Sequence, residues 1–150
     1  MQQICVIDGQ GGGIGSAIIK KLNTAFYNAN VEITALGSNA IATAQMLKAR
    51  ANRGASGENA IIRTVRHADI IIGPIGIIMA HAMMGEITPK MAEAVASCPA
   101  KKILLPLSQE NVVIAGLSSL PLPKLIDSML EENLLPLVNT SKVQRLKRKG

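Results

Sequence analysis

Residues 3–16 read QICVIDGQGGGIGS, and this stretch decides the fold. The apolar run Gln3 to Asp8 stops at a cluster of glycines, which is typical of a strand buried on both faces of a sheet. Behind the glycines, apolar residues recur every fourth position and predict an amphipathic helix. These apolar positions are Ile14, Ile18, Leu22 and Phe26. The opening of the chain is therefore a strand–turn–helix unit.

The same alternation of strands and helices continues along the chain. Further strands are predicted at residues 31–36, 69–72, 102–107 and 111–117, and helices at 39–51, 58–68, 89–98 and 123–132, with 52–57 as a loop. Ser38 or Asn39 is expected to cap the second helix, and Thr88 followed by Pro89 marks a helix start. Apolar strands separated by helices are the pattern of an α/β protein with a parallel sheet covered on both faces. We therefore predict a single doubly wound, open, Rossmann-like sheet, mainly parallel, with about five strands.

Charge and composition limit the classes of partner. The chain has a formal net charge of +6. Its last dozen residues hold five cations and no acid, so the rest of the chain carries a formal charge of only +1. Residues 1–138 are thus expected to form one domain, followed by a basic, flexible tail at 139–150. Nucleic-acid binding is expected only through that tail, because one Tyr and one Phe leave few rings for base stacking. No apolar run reaches the roughly 18 residues of a membrane span, and the first residues lack a signal pattern, so a cytoplasmic location is expected.

The glycine-rich turn carries the expected chemistry. Asp8, Gly9, Gln10, Gly11, Gly12, Gly13, Ile14 and Gly15 follow the first strand and lead into the first helix. Glycines let the backbone approach a ligand closely, and the first amides of a helix attract a phosphate. The turn is therefore predicted to hold a small phosphate-bearing ligand of the nucleotide type. The alternative is that the glycines serve only tight packing between strand and helix.

The glycine spacing narrows the class of ligand. Gly9, Gly13 and Gly15 match the GxxxGxG pattern of short-chain reductases, whereas a GxGxxG reading puts Ile14 at the third glycine. A P-loop would need a lysine where Ser16 stands. NAD enzymes usually have an acid after the second strand.

Here Ser38 and Asn39 follow the second strand, with Arg50 or Arg53 as possible phosphate partners. These residues favour NADP or a mononucleotide over NAD as the cofactor, unless Ser38 and Asn39 only cap the helix. No metal is expected.

A second turn, Gly73-Pro74-Ile75-Gly76, follows the third predicted strand. It should lie at the same edge of the sheet as the first turn, because parallel strands end on one side. It then either forms the other wall of a ligand cleft or is a simple strand-to-helix corner.

No catalytic set is recognisable, and the catalytic residues are unknown. A short-chain reductase needs Tyr-x-x-x-Lys, but Val31 stands four residues after Tyr27. His81 interrupts the apolar segment Ile77 to Met84 and is interpreted as a core or interface histidine or as an acid or base in the cleft. Asp8 is expected to bind turn amides, a ribose or magnesium. Glu58 and Glu86 either line the cleft or begin helices.

The missing catalytic set supports an alternative function, a non-catalytic regulatory or oligomerising module. The segment Ile77 to Met84 would then be the face of a homodimer.

Several of these blocks together resemble a known family. The blocks are VIDGQGGGIG, ALGSNAIAT, ANRGASGENAI, ADIIIGPIGII and GEITPKMAEA. They are similar to a short bacterial Rossmann-like family called domain of unknown function 3842, and the resemblance spans roughly residues 4–130. It implies a Rossmann-like fold, and it supplies neither a substrate nor a catalytic residue.

Overall fold

A computed structural model describes residues 1–107 and 111–138. Five parallel strands form one sheet in the order β3-β2-β1-β4-β5. The strands are β1 (Gln2–Asp8), β2 (Val31–Gly37), β3 (Arg53–Ser56), β4 (Ile70–Pro74) and β5 (Lys101–Leu105). The helices are α1 (Gly13–Ala25), α2 (Ala40–Lys48), α3 (Glu58–Val65), α4 (Pro89–Ser97) and α5 (Leu122–Ser128). A 3₁₀ turn, Ile75–Ile78, follows β4, and α5 continues into a π-helical turn, Met129–Leu134.

The sheet is buried on both faces, as the apolar strands predict. Along β1, Ile4 and Val6 point to the face covered by α1, α2 and α5, while Cys5 and Ile7 point to the face covered by α3 and α4. All four side chains are at most 2% exposed. Every second residue of a strand faces the same side, so a strand covered on both sides needs apolar residues throughout. The predicted doubly wound α/β fold is confirmed.

The strand order reverses between β1 and β4. From β1 the chain first moves outward through β2 to β3, and then returns to the other side of β1 to place β4 and β5. In open parallel sheets the crevice at such a reversal, beside the carboxyl ends of the strands, is where ligands bind. The turns after β1 and β4 therefore flank the expected ligand crevice.

Two predicted elements are wrong. Residues 53–56, predicted as loop, form the edge strand β3 on β2. Residues 111–117, predicted as a strand, form turns and irregular chain with a single bridge residue, Val112, and Val113 is 92% exposed. Strand formation depends on a neighbouring strand with free backbone groups, and β2 provides one for β3. Among the described residues the number of strands is nevertheless five.

The predicted helix starts are confirmed where a side chain caps them. The Asn39 side chain, rather than Ser38, accepts a hydrogen bond from the Ala42 amide at 2.8 Å. Thr88 Oγ1 accepts one from the Met91 amide at 3.2 Å, with Pro89 at the first helical position. Among the described residues, no helix is long and apolar enough to cross a membrane. The predicted tail at 139–150 lies outside the described residues.

Candidate functional site

The glycines of the turn divide into two groups. Gly9, Gly12 and Gly15 are in close contact with the rest of the protein: a Cβ on Gly12, whose φ is +74°, would lie 2.7 Å from the Ala42 carbonyl oxygen. A Cβ on Gly15 would collide with Met46 Sδ, and one on Gly9 with Ser38 Oγ. Gly11 and Gly13 have nothing within 4 Å of such a Cβ. Packing therefore explains three of the five glycines and leaves Gly11 and Gly13 to be explained by something else.

Asp8 caps helix α1 from the end of β1. Its Oδ1 accepts a hydrogen bond from the Gly9 amide at 2.8 Å, and its Oδ2 accepts one from the Gly15 amide at 2.7 Å. The Ile14 amide lies close enough to this carboxylate to favour its charged form. Burial raises the pKa of Asp8 above its ordinary value, although these amide hydrogen bonds oppose the rise. One of the first helical amides, that of Gly15, thus already has an acceptor and is not open to a phosphate.

The amides of Gly11 and Gly13 are the donors that the turn leaves open. None of the described residues accepts a hydrogen bond from either amide, and both glycines are exposed. The Gly12 amide between them closes the turn on the Gly9 carbonyl oxygen at 2.9 Å. The open donors thus stand at the amino end of α1, where the helix dipole adds positive potential.

Glu86 joins the glycine turn to the end of β2. Its Oε1 accepts hydrogen bonds from the Gln10 amide at 2.9 Å, Ser38 Oγ at 2.7 Å and Asn39 Nδ2 at 2.6 Å. Partial desolvation would raise the pKa of Glu86, but the three hydrogen bonds together hold it below its ordinary value. From the sequence, Glu86 is expected only to line the cleft or to begin a helix, because no local pattern shows a partner 76 residues away.

A strained loop, residues 79–87, holds Glu86 in place. His81, Met83 and Met84 have left-handed φ angles of 69°, 57° and 56°. Buried Ala82, Met83 and Ile87 fix the loop to the core, and the His81 amide donates to the Ile87 carbonyl oxygen at 2.7 Å. Non-glycine residues in this region cost about 1 kcal/mol or more each, which a tightly packed surrounding can offset.

Two interpretations of this region are wrong. His81 is exposed and is not a core histidine. Segment 77–84 does not present an apolar face for a dimer, because Ile77, Ala82 and Met83 are buried in the chain's own core. Among the large apolar side chains of this segment, that of Met84 is strongly exposed, at 89%.

The second turn lies beside the first, as predicted. Gly73 in β4 backs onto β1, where a Cβ would collide with the Ile7 carbonyl oxygen, so packing explains this glycine. Pro74 precedes the 3₁₀ turn that contains Ile75 and Gly76. Ile75 also lines a cavity of about 270 Å³ beyond the ends of β4 and β5. Its other lining residues include Pro106, Val112, Leu117, Ser118, Ser119, Leu120 and Leu125.

The expected phosphate partners Arg50 and Arg53 are not at this edge. Arg50 lies between the end of α2 and the start of β3, and Arg53 begins β3, so both are on the amino side of the sheet. The Arg53 guanidinium pairs with Glu32 at 2.8 Å. Neither arginine is placed to bind a phosphate beside Ser38.

The remaining candidates for reactive or metal-binding side chains lie away from the turn or do not cluster with one another. Cys5 and Cys98 are free and buried, and burial raises the pKa of Cys5 to about 12. A thiol that stays protonated is a poor nucleophile and a poor metal ligand. Within residues 1–107 and 111–138, no three His, Cys, Asp or Glu side chains are grouped to hold a metal ion.

Comparisons with known proteins concern the fold and the family. No curated protein sequence matches the chain. Among solved structures, the chain is similar to a dodecameric FMN-dependent UbiX-like decarboxylase from Escherichia coli O157:H7, with 19% identity and a TM-score of 0.46. The match covers 87% of this chain and 73% of that one. A family model matches residues 3–136, and the chain therefore belongs to the family described as Domain of unknown function (DUF3842).

Proposed function

We propose that this protein binds a nucleotide or dinucleotide whose phosphate accepts hydrogen bonds from the Gly11 and Gly13 amides. The observation that carries the proposal is the pair of open amides at the start of α1, next to the reversal of strand order. An anion at this position gains from both the unpaired N–H groups and the helix dipole.

The space around the two open glycines favours the same proposal. A Cβ at Gly11 or Gly13 would meet nothing within 4 Å, so a phosphate can approach the backbone there. Asp8 already accepts from the inner amides of the turn, which leaves the outer face for the ligand.

The glycine spacing puts NAD and NADP first among the dinucleotides to test. The experiment is a thermal-unfolding screen of the full chain with NAD, NADP, FAD, FMN, ATP, GTP, S-adenosylmethionine and coenzyme A. One of them should raise the Tm, and at a hundred times its Kd the stabilisation is roughly 2.7 kcal/mol. If every compound leaves the Tm unchanged, the proposal is wrong.

A charge variant shows where the ligand binds. Gly13→Glu adds a negative side chain in open space, so we expect it to keep the fold and lose the ligand-induced shift. Thr24→Glu is the matched control, because Thr24 is exposed in the last turn of the same helix. Gly13→Ala separates the effect of a side chain from that of its charge. An equal ligand shift in Gly13→Glu and Thr24→Glu would place the ligand elsewhere.

A self-associating module is the second candidate function. The observation that favours it is the exposed apolar stretch at 112–120, in which Val113 is 92%, Leu117 55% and Leu120 44% exposed. Exposed apolar residues that lie together often mark a protein interface. Light scattering at micromolar concentration should then give a dimer that Val113→Ser and Leu117→Ser convert to monomer. A monomeric parent protein would contradict it.

A further inference from the structure

We propose that Glu86 binds the ribose of the nucleotide and selects a ribose whose 2′-hydroxyl is unmodified. This inference rests on the proposed function. In dinucleotide-binding folds an Asp or Glu at the end of the second strand accepts a hydrogen bond from the ribose 2′-hydroxyl. The residues after β2 are Ser38 and Asn39, which lack a carboxylate. Their side chains instead hold the carboxylate of Glu86, which comes from the loop after β4.

The two oxygens of the Glu86 carboxylate differ in their contacts. Oε1 accepts three hydrogen bonds, from Gln10, Ser38 and Asn39, at 2.6 to 2.9 Å. None of the described residues donates to Oε2. Three donors on one oxygen orient the carboxylate, and the other oxygen can accept a hydroxyl proton as a charge-assisted hydrogen bond.

The position of Glu86 suits the ribose that adjoins the bound phosphate. Gln10, whose amide donates to Glu86, directly precedes Gly11, whose amide is open. The phosphate donors and the proposed ribose acceptor are therefore parts of one continuous turn. Ser38 belongs to the neighbouring strand end, which is paired with Asp8 through the Ser38 amide and Asp8 carbonyl oxygen at 3.0 Å.

The charges around Glu86 argue against a 2′-phosphate. A carboxylate repels a phosphate group, and NADP-binding sites usually provide an arginine in its place. Arg50 and Arg53 follow β2 in sequence but lie on the amino side of the sheet, and Arg53 is paired with Glu32. These observations reverse the preference for NADP that the missing acid suggested.

The test compares ligands that differ only at the 2′ position. Isothermal titration of the full chain would use NAD against NADP, and adenosine 5′-monophosphate against adenosine 2′,5′-bisphosphate. We expect the unphosphorylated member of each pair to bind at least about tenfold more tightly, as the loss of one charge-assisted hydrogen bond and added repulsion imply. Equal or tighter binding of the 2′-phosphorylated members would overturn the inference, and this comparison requires no variant.

Two variants then assign the effect to one side chain. Glu86→Gln should weaken NAD binding by about tenfold and remove most of the discrimination against NADP. Glu93→Gln, on the exposed surface of α4, is the matched control and should change neither. If Glu86→Gln instead tightens both ligands equally, Glu86 blocks the site and does not bind ribose. If wild-type protein binds none of the four compounds or any other in the screen, the proposed function fails as well.

Discussion

At the scale of single residues, Gly12 and Gly13 are neighbours with opposite requirements. Gly12 has a φ of +74°, and a Cβ there would approach the Ala42 backbone to 2.7 Å, whereas Gly13 has open space around it. We expect Gly12→Ala to lower the free energy of unfolding by more than about 1 kcal/mol, because of left-handed strain and overlap. Gly13→Ala should change it by no more than about 0.5 kcal/mol. Urea unfolding of both variants measures the difference, and equal losses would contradict the assignment of a packing role to Gly12 and none to Gly13.

Asp8 and Glu86 predict pH dependences of opposite sign. Burial raises the pKa of Asp8 above 3.8 in the folded state, so its contribution to stability is fully present below pH 3.8 and is lost as pH rises through the raised pKa. The pKa of Glu86 is lowered from 4.5 despite partial desolvation, by its three hydrogen bonds. Its contribution is therefore present above pH 4.5 and lost as pH falls through the lowered pKa.

Urea unfolding between about pH 3 and pH 8 checks both signs. Relative to wild type, Glu86→Gln should be destabilised at neutral pH and should approach wild type in acid. Asp8→Asn should show its largest deficit in acid, with the deficit shrinking as pH rises. A Glu86→Gln deficit that stays constant across this range would mean that its charge has no part in holding the turn.

At the scale of elements, the left-handed φ angles in the loop at 79–87 lead to a prediction about stability. Met84 has a φ of 56° and is 89% exposed, whereas Met83 has a φ of 57° and is buried. Asn adopts left-handed φ more readily than Met, so Met84→Asn should leave stability unchanged or raise it by up to about 1 kcal/mol. Met83→Asn should lower it by more than about 2 kcal/mol, since it loses core packing and buries an amide. Thermal unfolding compares the two, and a destabilised Met84→Asn would mean that the exposed side chain has contacts that its exposure does not suggest.

The elements also show which features of the fold can be predicted from the sequence. β1 and β4 are buried on both faces, and their continuous apolar runs were sufficient to identify them. β3, with the sequence RGAS, is short and mostly exposed, so its strand character comes from pairing with β2 and leaves no local pattern. Residues 111–117 are the opposite case. Their β-branched residues predict a strand, but the described residues form no ladder of strand pairing there. The sequence does not reveal the role of Glu86 for a related reason: its partners are Gln10, Ser38 and Asn39, which only the tertiary fold brings to it.

At the scale of the whole molecule, topology explains why the glycine turn could be located without knowing its ligand. Alternating strands and helices imply a doubly wound sheet, and such a sheet places the end of β1 at the reversal of strand order. The sequence does not show which glycines of the turn are required by packing and which are open to a ligand, because five glycines look alike in a motif. Only the neighbours Ala42, Met46 and Ser38 show that three of them are required by packing.

The distribution of charge over the molecule supports the last prediction. Residues 139–150 contain five of the cations and no acid, so their deletion reduces the formal charge from +6 to +1. The described residues nearest to this segment are held by the core: Leu134 is fully buried, Val138 is 7% exposed, and Gln2 Nε2 donates to the Leu137 carbonyl oxygen at 2.9 Å. We therefore expect the free energy of unfolding of the 1–138 chain to lie within about 0.5 kcal/mol of that of the full chain, and its nucleotide affinity to be unchanged.

Any affinity for single-stranded RNA should disappear with the deletion, because binding by cations without stacking rings depends on neutralising phosphates. Fluorescence anisotropy with a labelled oligonucleotide at two salt concentrations measures this, and undiminished binding by the 1–138 chain would place the nucleic-acid surface on the folded domain.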